Sequence, residues 1–461
     1  MGIRASSQGL QLLDQLREKK DWNRQDYRWE EAARVSKPTL KRFWRRIPIE
    51  KDNFIAICQS VGLDNWEQIV DNSPVHQKAE ITSSINYDDD WVGRAEIIDQ
   101  LVIKMRDSCR VLILTGITGI GKTTLAERLA WELKEDFPKC FIVKFDSQEN
   151  TDFASVAAQL LIGLGETVTS EDRKEAQRLL NWLVSCLAEN RYLVVLDSLE
   201  LILQGNIETG WSDFQDDYWE KFWQKLLSIN SCQSSLILTS QDLPAQLEAI
   251  GSRYPKSWYC QHLSGLTELE QLELFEKIGI ESDSESDGVN FLKRIGAAYE
   301  GHPLALRVIG GEIVSQPFAG NVVAYWKRYG YEIEEIDQIQ AETELDSRDD
   351  KLRLDSYNRH LQRAVKHRVE KTFERLANDI FNAYQLLGYA SVYRRPVSET
   401  FWLRIAARLG WDEDKQQAAL DALRDRYLIE EEIINDELLL RQHNLIRSVA
   451  LNHLQKWNNE R

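Results

Sequence analysis

A multidomain α/β plus α protein, built around one parallel sheet, is predicted by three observations. Between residues 90 and 262, short β-rich runs alternate with amphipathic helical stretches, the pattern of parallel strands joined by crossover helices. One of these runs opens into a glycine-rich loop, and another ends in an aspartate after five apolar or aromatic residues. On either side, residues 1–74 and 263–461 carry helical spacing, broken by one short hairpin near the end.

Composition sets the bounds. The 461 residues are 43% hydrophobic, which is ordinary for a soluble chain. At about 100–200 residues per domain they make three or four domains. There are 57 Lys and Arg against 74 Asp and Glu, a net charge of −17. That excludes a protein that coats nucleic acid or anionic membrane with its whole surface, but leaves room for a local basic element. The mean hydropathy is −0.44, and no apolar run of about 18 residues offers a membrane-spanning helix. The first residues lack the charged-then-apolar layout of a secretion signal. Gly2 and Ser6 do fit the loose acylation pattern M-G-x-x-x-[ST], which is common by chance. Cys58, Cys109, Cys140, Cys186, Cys232 and Cys260 are scattered without a C-x-x-C pair. This reads as a reduced, cytoplasmic protein with neither disulfides nor a zinc site.

The elements follow in order. Residues 1–74 read as short helices, and the polar, aperiodic stretch 75–89 as a linker. Five strands are predicted, at Arg110–Thr115, Cys140–Phe145, Tyr192–Asp197, Ser235–Ser240 and Trp258–Leu263. Between the third and fourth, Asp217–Ile229 has Trp219, Phe222, Trp223, Leu226 and Leu227 on one helical face, best read as core packed on the sheet. Residues 263–335 are helical. The acidic stretches Glu281–Asp287 and Glu332–Asp350 read as solvated loops or helix faces, with 336–365 as an acidic linker or helix. Residues 366–461 form helices and a hairpin, Tyr427–Ile433 and Glu437–Gln442, turning at Asn435-Asp436. No internal repeat of 20–50 residues is present.

The strongest signal is Gly116-Ile-Thr118-Gly119-Ile120-Gly121-Lys122-Thr123-Thr124, a full match to G-x-x-x-x-G-K-[ST] between a strand and a helix. Its glycines let backbone N–H groups turn toward phosphate oxygens, and the helix N-terminus adds its positive dipole end. Lys122 suits the β- and γ-phosphates, and the Thr123 hydroxyl suits Mg²⁺. Asp197, at the end of the third strand, supplies the acid that the metal's water shell requires. ATP or ADP with Mg²⁺ is therefore the expected ligand.

The order of motifs resembles the NB-ARC branch of the STAND signal-transduction ATPases, over roughly residues 90–455. Asp90-Trp-Val92-Gly93-Arg94 looks like the opening segment whose backbone contacts adenine. Ser235–Gln241 sits at the sensor strand, and Leu263–Thr267 with Leu272–Phe275 at the first motif of the helical ARC domain. Gly301-His-Pro303-Leu304-Ala-Leu306 matches G-x-P-L-A-L, and Gln442-His443-Asn444 sits at the histidine motif of the winged-helix domain. The resemblance implies a domain order of a helical N-terminal domain, the P-loop domain, the ARC domain at 263–335 and a winged helix at 366–461. It also implies a closed ADP state in which His443 touches the β-phosphate and Pro303 packs on adenine, and an ATP-bound state that opens and self-associates. His443→Ala is then expected to weaken ADP retention. Members of this family commonly continue into ligand-sensing repeats.

Two departures bear on turnover. Ser198 replaces the acid or Asn usual after Asp197, leaving Glu200 as the candidate for placing water. Gln241 replaces an arginine expected at the γ-phosphate. Without a placed base and that cation, hydrolysis loses groups worth about 10²–10⁵-fold in related chemistry. Lys122, Asp197 and Glu200 are thus the catalytic candidates of a slow ATPase, a switch more than an engine. An ATPase working as a remodeller or loader is the alternative, and fast turnover would identify it.

The N-terminal segment holds a charge reversal. From Arg34 to Arg46 there are six basic residues, Lys37, Lys41, Arg42, Arg45 and Arg46 among them, and no acid. A short helix through Ala32 and Ala33, a turn at Val35-Ser36-Lys37, and a second helix with Leu40, Phe43 and Trp44 on one face resemble a repressor-type helix-turn-helix. Such a helix over residues 29–46 can neutralise phosphates and reach bases. The same bundle serves equally well as a protein adaptor, since residues 1–71 carry 13 basic and 11 acidic side chains. The C-terminal hairpin, with Glu430, Glu431, Glu432, Asp436 and Glu437, would repel DNA and reads as an intramolecular switch element.

Overall fold

The computed structural model describes residues 5–20, 22, 27–35, 37–44, 49–70, 91–145, 151–205, 212–280, 287–346, 350–434 and 437–459. The linker 75–89, Asp90, Ser36, Arg45, Arg46 and the Asn435-Asp436 turn lie outside them, as do the side chains of Lys37 and Lys41. The chain divides into two units: Gly93–Gly265, and Met1–Val92 together with Leu266–Arg461.

The Gly93–Gly265 unit holds a five-stranded parallel sheet. Its strands are β1 (Val111–Thr115), β2 (Lys139–Lys144), β3 (Tyr192–Asp197), β6 (Ser235–Ser240) and β7 (Trp258–His262), in the order β2-β3-β6-β1-β7. Between β3 and β6 lies a small hairpin, β4 (Leu203–Gly205) with β5 (Ser212–Phe214), which local patterning did not announce. The inner strands β1 and β6 are buried along their whole length, as near-continuous apolar runs in a covered parallel sheet must be. The edges β2 and β7 are partly exposed. Trp219, Phe222 and Trp223 of the Asp217–Ser228 helix are buried with Phe153 in an edge-packed aromatic core. Arg110 falls just outside β1. Its buried guanidinium instead donates to Leu226 O (2.6 Å) and Ile229 O (3.0 Å), carbonyls at the end of that helix.

In the other unit, the helices Ser7–Glu18, Tyr27–Ala33, Lys37–Trp44 and Lys51–Ser60 enclose Trp29, Leu40, Phe43, Phe54 and Ile57. The helices Glu268–Ile278, Asp287–Ala298, Pro303–Val314, Val322–Asp346, Asp350–Asp379 and Phe381–Ala390 follow. Thr267 starts the first of these with a reciprocal capping box to Glu270. The last part combines the helices Glu399–Arg408, Glu413–Asp425 and Asn444–Asn459 with a three-stranded antiparallel sheet, β8 (Val397–Ser398), β10 (Glu437–Arg441) and β9 (Glu430–Ile434), in the order β8-β10-β9. Leu304 and Val308 share a core with Phe373 and with Trp402, Leu420 and Leu440 of this last part.

Two expectations are corrected. The first hairpin arm begins at Glu430, not Tyr427. Tyr427 takes a left-handed φ of 55° and Leu428 N–H bonds Leu423 O, closing the end of the preceding helix. Residues 336–346 and 350–365 are helical, one of the two forms expected there, but Glu332 is not solvated. It is buried and paired with Arg368 at 2.9 Å and Arg375 at 2.6 Å, partners 36 and 43 positions away. Glu430 and Glu432 share Arg441, and Glu431 meets buried Arg424, which also pairs with Glu399 and Asp421, so these acids still outnumber the arginines that meet them.

Candidate functional site

The loop between β1 and the helix Lys122–Glu132 is shaped by three glycines in the positive-φ region: Gly116 (147°), Gly119 (80°) and Gly121 (96°). A Cβ on Gly116 would meet Leu263 O at 2.9 Å, and one on Gly121 would meet Arg94 Nη1 at 3.1 Å. Side chains at these points would strain the backbone and fill the cradle.

Lys122 begins the helix but is buried. Its Nζ donates to Gly116 O (2.8 Å) and Ile117 O (3.0 Å), folding the ammonium over its own loop. Burial lowers its pKa, opposed by the charges of Glu200, Asp197 and Asp242. Thr123 Oγ1 donates to Asp197 Oδ1 at 2.8 Å, and Thr239 Oγ1 donates to the same oxygen at 2.5 Å. Thr239 in turn accepts from Ser198 N (2.9 Å). Asp197 is thus buried and held between two hydroxyls. Thr124 is exposed, Thr118 half-buried and Ile120 buried.

The remaining candidates fall into place locally. Arg94, at φ 60° before the helix Ala95–Asp107, donates to Ile120 O (2.6 Å) and Ser264 O (3.0 Å). Its side chain therefore clamps the loop, while the expectation for this segment concerned backbone. Val92 is half-buried. Gln241 turns onto Glu200, donating from Nε2 at 2.9 Å and from its backbone N–H at 3.3 Å. His262, which sequence reasoning missed, closes β7 with Nδ1 3.3 Å from Thr115 Oγ1. Partial burial and the Lys122 charge lower its pKa.

In the other unit, Pro303 opens its helix behind the cap His302, whose Nδ1 accepts from Ala305 N (3.3 Å). Gly301 (φ 68°) lies where a Cβ would meet Leu266 O, and Leu304 goes to the core. These packing demands account for the G-x-P-L residues locally. His443 Nδ1 accepts from Leu445 N (3.2 Å) at the start of the last helix. Arg42, expected to face a nucleic acid, is buried and bonded to Thr39 Oγ1 (3.0 Å), Asp421 (3.1 Å) and Asp425 (3.2 Å).

The residues around the loop fit a nucleoside phosphate with Mg²⁺. An ammonium, a hydroxyl beside a buried carboxylate, a glycine cradle and a helix N-terminus meet within one unit. Among the described residues no group of three or more His, Cys, Asp and Glu is placed to hold a metal ion, and no helix is long and apolar enough to cross a membrane.

Residues 105–244 match the model of a family described as AAA domain. The chain carries an AAA-type P-loop NTPase domain, of a kind that generally binds ATP or ADP with Mg²⁺. An uncharacterized WD repeat-containing protein of Nostoc sp. is 29% identical over 357 residues, 68% of this chain. The match spans only 27% of that longer protein. Among solved structures, the Orc1 protein of Aeropyrum pernix in complex with DNA aligns over 82% of this chain and 97% of its own, at 15% identity and TM-score 0.35. Cdc6p of Pyrobaculum aerophilum aligns over 80% and 96%, at 13% identity and TM-score 0.36. PCH-2 of C. elegans aligns over 57% and 76%, at 14% identity and TM-score 0.34.

Proposed function

We propose that the chain is a nucleotide-gated switch of the NB-ARC type, held closed by ADP, opened and self-associating with ATP, and hydrolysing slowly. The observation that carries the nucleotide part is the gathering of Lys122 and Thr123 of the P-loop with Asp197 and Thr239 of the adjoining strands. Bound Mg²⁺ would supply charge neutralisation on the phosphates. Thr123 and Asp197 would hold its shell, and Lys122 would leave its loop carbonyls for the phosphates. The three-stranded sheet and its helices at the C-terminal end support a winged-helix reading, and the four N-terminal helices support a helix-turn-helix-like output domain.

The slow-switch reading is favoured by Gln241. It brings no charge where the family expects arginine, and it occupies Glu200. A working remodeller or loader is the second reading, favoured by the AAA domain match. Turnover decides between them: the switch reading expects well under one ATP per second, and tens per second would sink it.

The ion pairs of Arg42 support an output that is restrained at rest. Asp421 and Asp425 offer this guanidinium the two anionic contacts that a nucleic-acid phosphate would otherwise offer. Duplex DNA binding is therefore expected to be weak with ADP, stronger with a non-hydrolysable ATP analogue, and steeply salt-dependent. Asp421→Ala with Asp425→Ala is expected to strengthen the ADP-state binding several-fold. Absence of duplex binding under every condition would make the N-terminal bundle a protein adaptor instead.

A further inference from the structure

The turn after β3 carries chemistry that the loop itself leaves unused. Ser198 takes a left-handed φ of 66°, uncommon for a residue with a side chain, and reverses the chain directly after Asp197. The reversal starts the short 3₁₀ turn Leu199–Ile202, which holds Glu200 beside the end of β6. There Gln241 meets it twice. The carboxamide Nε2 donates to Oε1 at 2.9 Å, and the backbone N–H donates to Oε2 at 3.3 Å. One residue thus engages both oxygens of the carboxylate. Glu200 is also the foremost charge opposing the lowered pKa of Lys122, ahead of Asp197, so its negative charge is felt at the loop. Asp197 is committed elsewhere, because Thr123 and Thr239 fix its Oδ1 and it would hold the shell of a bound Mg²⁺.

We propose that Gln241 is a latch on Glu200, withholding this base from water until a γ-phosphate oxygen competes for the Gln241 carboxamide. The proposal rests on reading the loop as an ATP site. A carboxamide has no charge, so its own grip on the carboxylate is one hydrogen bond, to Oε1, which can be exchanged for a bond to another anion, while the longer backbone bond to Oε2 is left as a weaker tether. A diphosphate offers no oxygen at the γ position, so the latch stays closed with ADP. Once released, Glu200 accepts a proton from water. The water oxygen bonds the terminal phosphorus, and the bridging P–O electron pair leaves with ADP. Gln241 is here a positioning residue, acting through Glu200. The neutral residue in an arginine's place becomes a device that links base release to the identity of the nucleotide.

The test uses the full chain with Gln241→Leu, Gln241→Asn, which shortens the carboxamide's reach while staying polar, Glu200→Gln, and the Gln241→Leu/Glu200→Gln double variant. The exchange is an equilibrium that leaves Glu200 latched most of the time even with ATP bound, so Gln241→Leu is expected to raise kcat for ATP about tenfold, the equivalent of about 1.4 kcal/mol, with KM within about twofold. Gln241→Asn should fall between it and wild type, and the Glu200→Gln change should cancel the rise. Independently of turnover, amide exchange over Leu199–Ile202 should speed up in Gln241→Leu without nucleotide. In wild type it should speed up with a non-hydrolysable ATP analogue but not with ADP. A kcat that falls or stays level in both Gln241 variants would overturn the latch, as would Glu200→Gln hydrolysing like wild type. Failure of the wild-type chain to bind either ATP or ADP would overturn the ATP-site reading itself, and the latch with it.

Discussion

Lys122→Met is expected to cut nucleotide-dependent turnover by about 10²–10³-fold while leaving the melting temperature of the nucleotide-free protein unchanged or raised. The two effects separate because the site holds a buried charge for its ligand's sake. Lys122 is only 9% exposed, and two loop carbonyls are the hydrogen-bond acceptors of its ammonium. Burial lowers its pKa, so the charged form is worse off in the folded chain than in the unfolded one. The sign follows from proton counting. Where the unfolded chain binds more protons, stability rises with pH. The penalty is full below the folded pKa and fades as pH climbs toward the ordinary lysine value of 10.5. Methionine keeps the length of the stem and removes the penalty. Its stability advantage over wild type should therefore shrink as the buffer is taken from neutral pH toward 10.5. Thermal melts across that range check the stability half, and fluorescence titration with a nucleotide analogue checks the binding half. Tight nucleotide binding by Lys122→Met would remove the lysine from the site.

How much of this site is legible in the sequence depends on how local each signal is. The five strands, the glycine loop, Lys122, Thr123 and Asp197 announce themselves in runs of a few residues, because a strand buried on both faces must be apolar throughout. Thr239 does not. It reaches Asp197 only because β6 lies beside β3, and strand order is a property of the whole sheet. A hydroxyl residue near the end of a strand is the faint signal that was available. The Gln241–Glu200 bonds have the same origin. Arg94 drew attention as part of an adenine-facing segment, whereas its side chain holds the loop from 26 residues away. Charge runs were the least reliable guide. Arg42 stands in a stretch with no acid, yet its carboxylates come from positions 379 and 383 residues later. Glu332 stands in an acidic stretch and is buried because Arg368 and Arg375 lie one helix further on. A linear run of charge records neighbours in sequence, and Coulomb energy depends on neighbours in space.

The Glu332 cluster yields the largest expected change in stability. Arg368 is 1% exposed and lies between Glu312 and Glu332, with a further bond to Thr372 Oγ1 at 3.2 Å. Arg375 pairs with the same two acids. Glu312 also accepts from Thr372 Oγ1 (2.6 Å) and the Tyr325 hydroxyl (3.2 Å). These contacts join the helices Pro303–Val314, Val322–Asp346 and Asp350–Asp379. Arg368→Ala leaves two buried carboxylates to one guanidinium, and breaking a buried pair from one side costs about 3–5 kcal/mol. That is roughly 10 °C in the transition of this unit. The pH dependence gives the cause away. In wild type, burial pushes the Glu312 carboxyl up, but Arg368, Arg375 and Thr372 outweigh it and hold the group below its ordinary 4.5. Its contribution is present above 4.5 and lost as pH falls through the lower folded value. Without Arg368, burial has less to oppose it, and the carboxyl should titrate higher. Protonation then relieves the variant at a pH where wild type is still charged. The gap in melting temperature should accordingly be widest near pH 7 and narrow toward pH 4.5. Adding Glu312→Gln to Arg368→Met should recover part of the loss, since it removes the stranded charge. A gap that stays constant with pH would mean that lost packing, and not an uncompensated carboxylate, sets the cost.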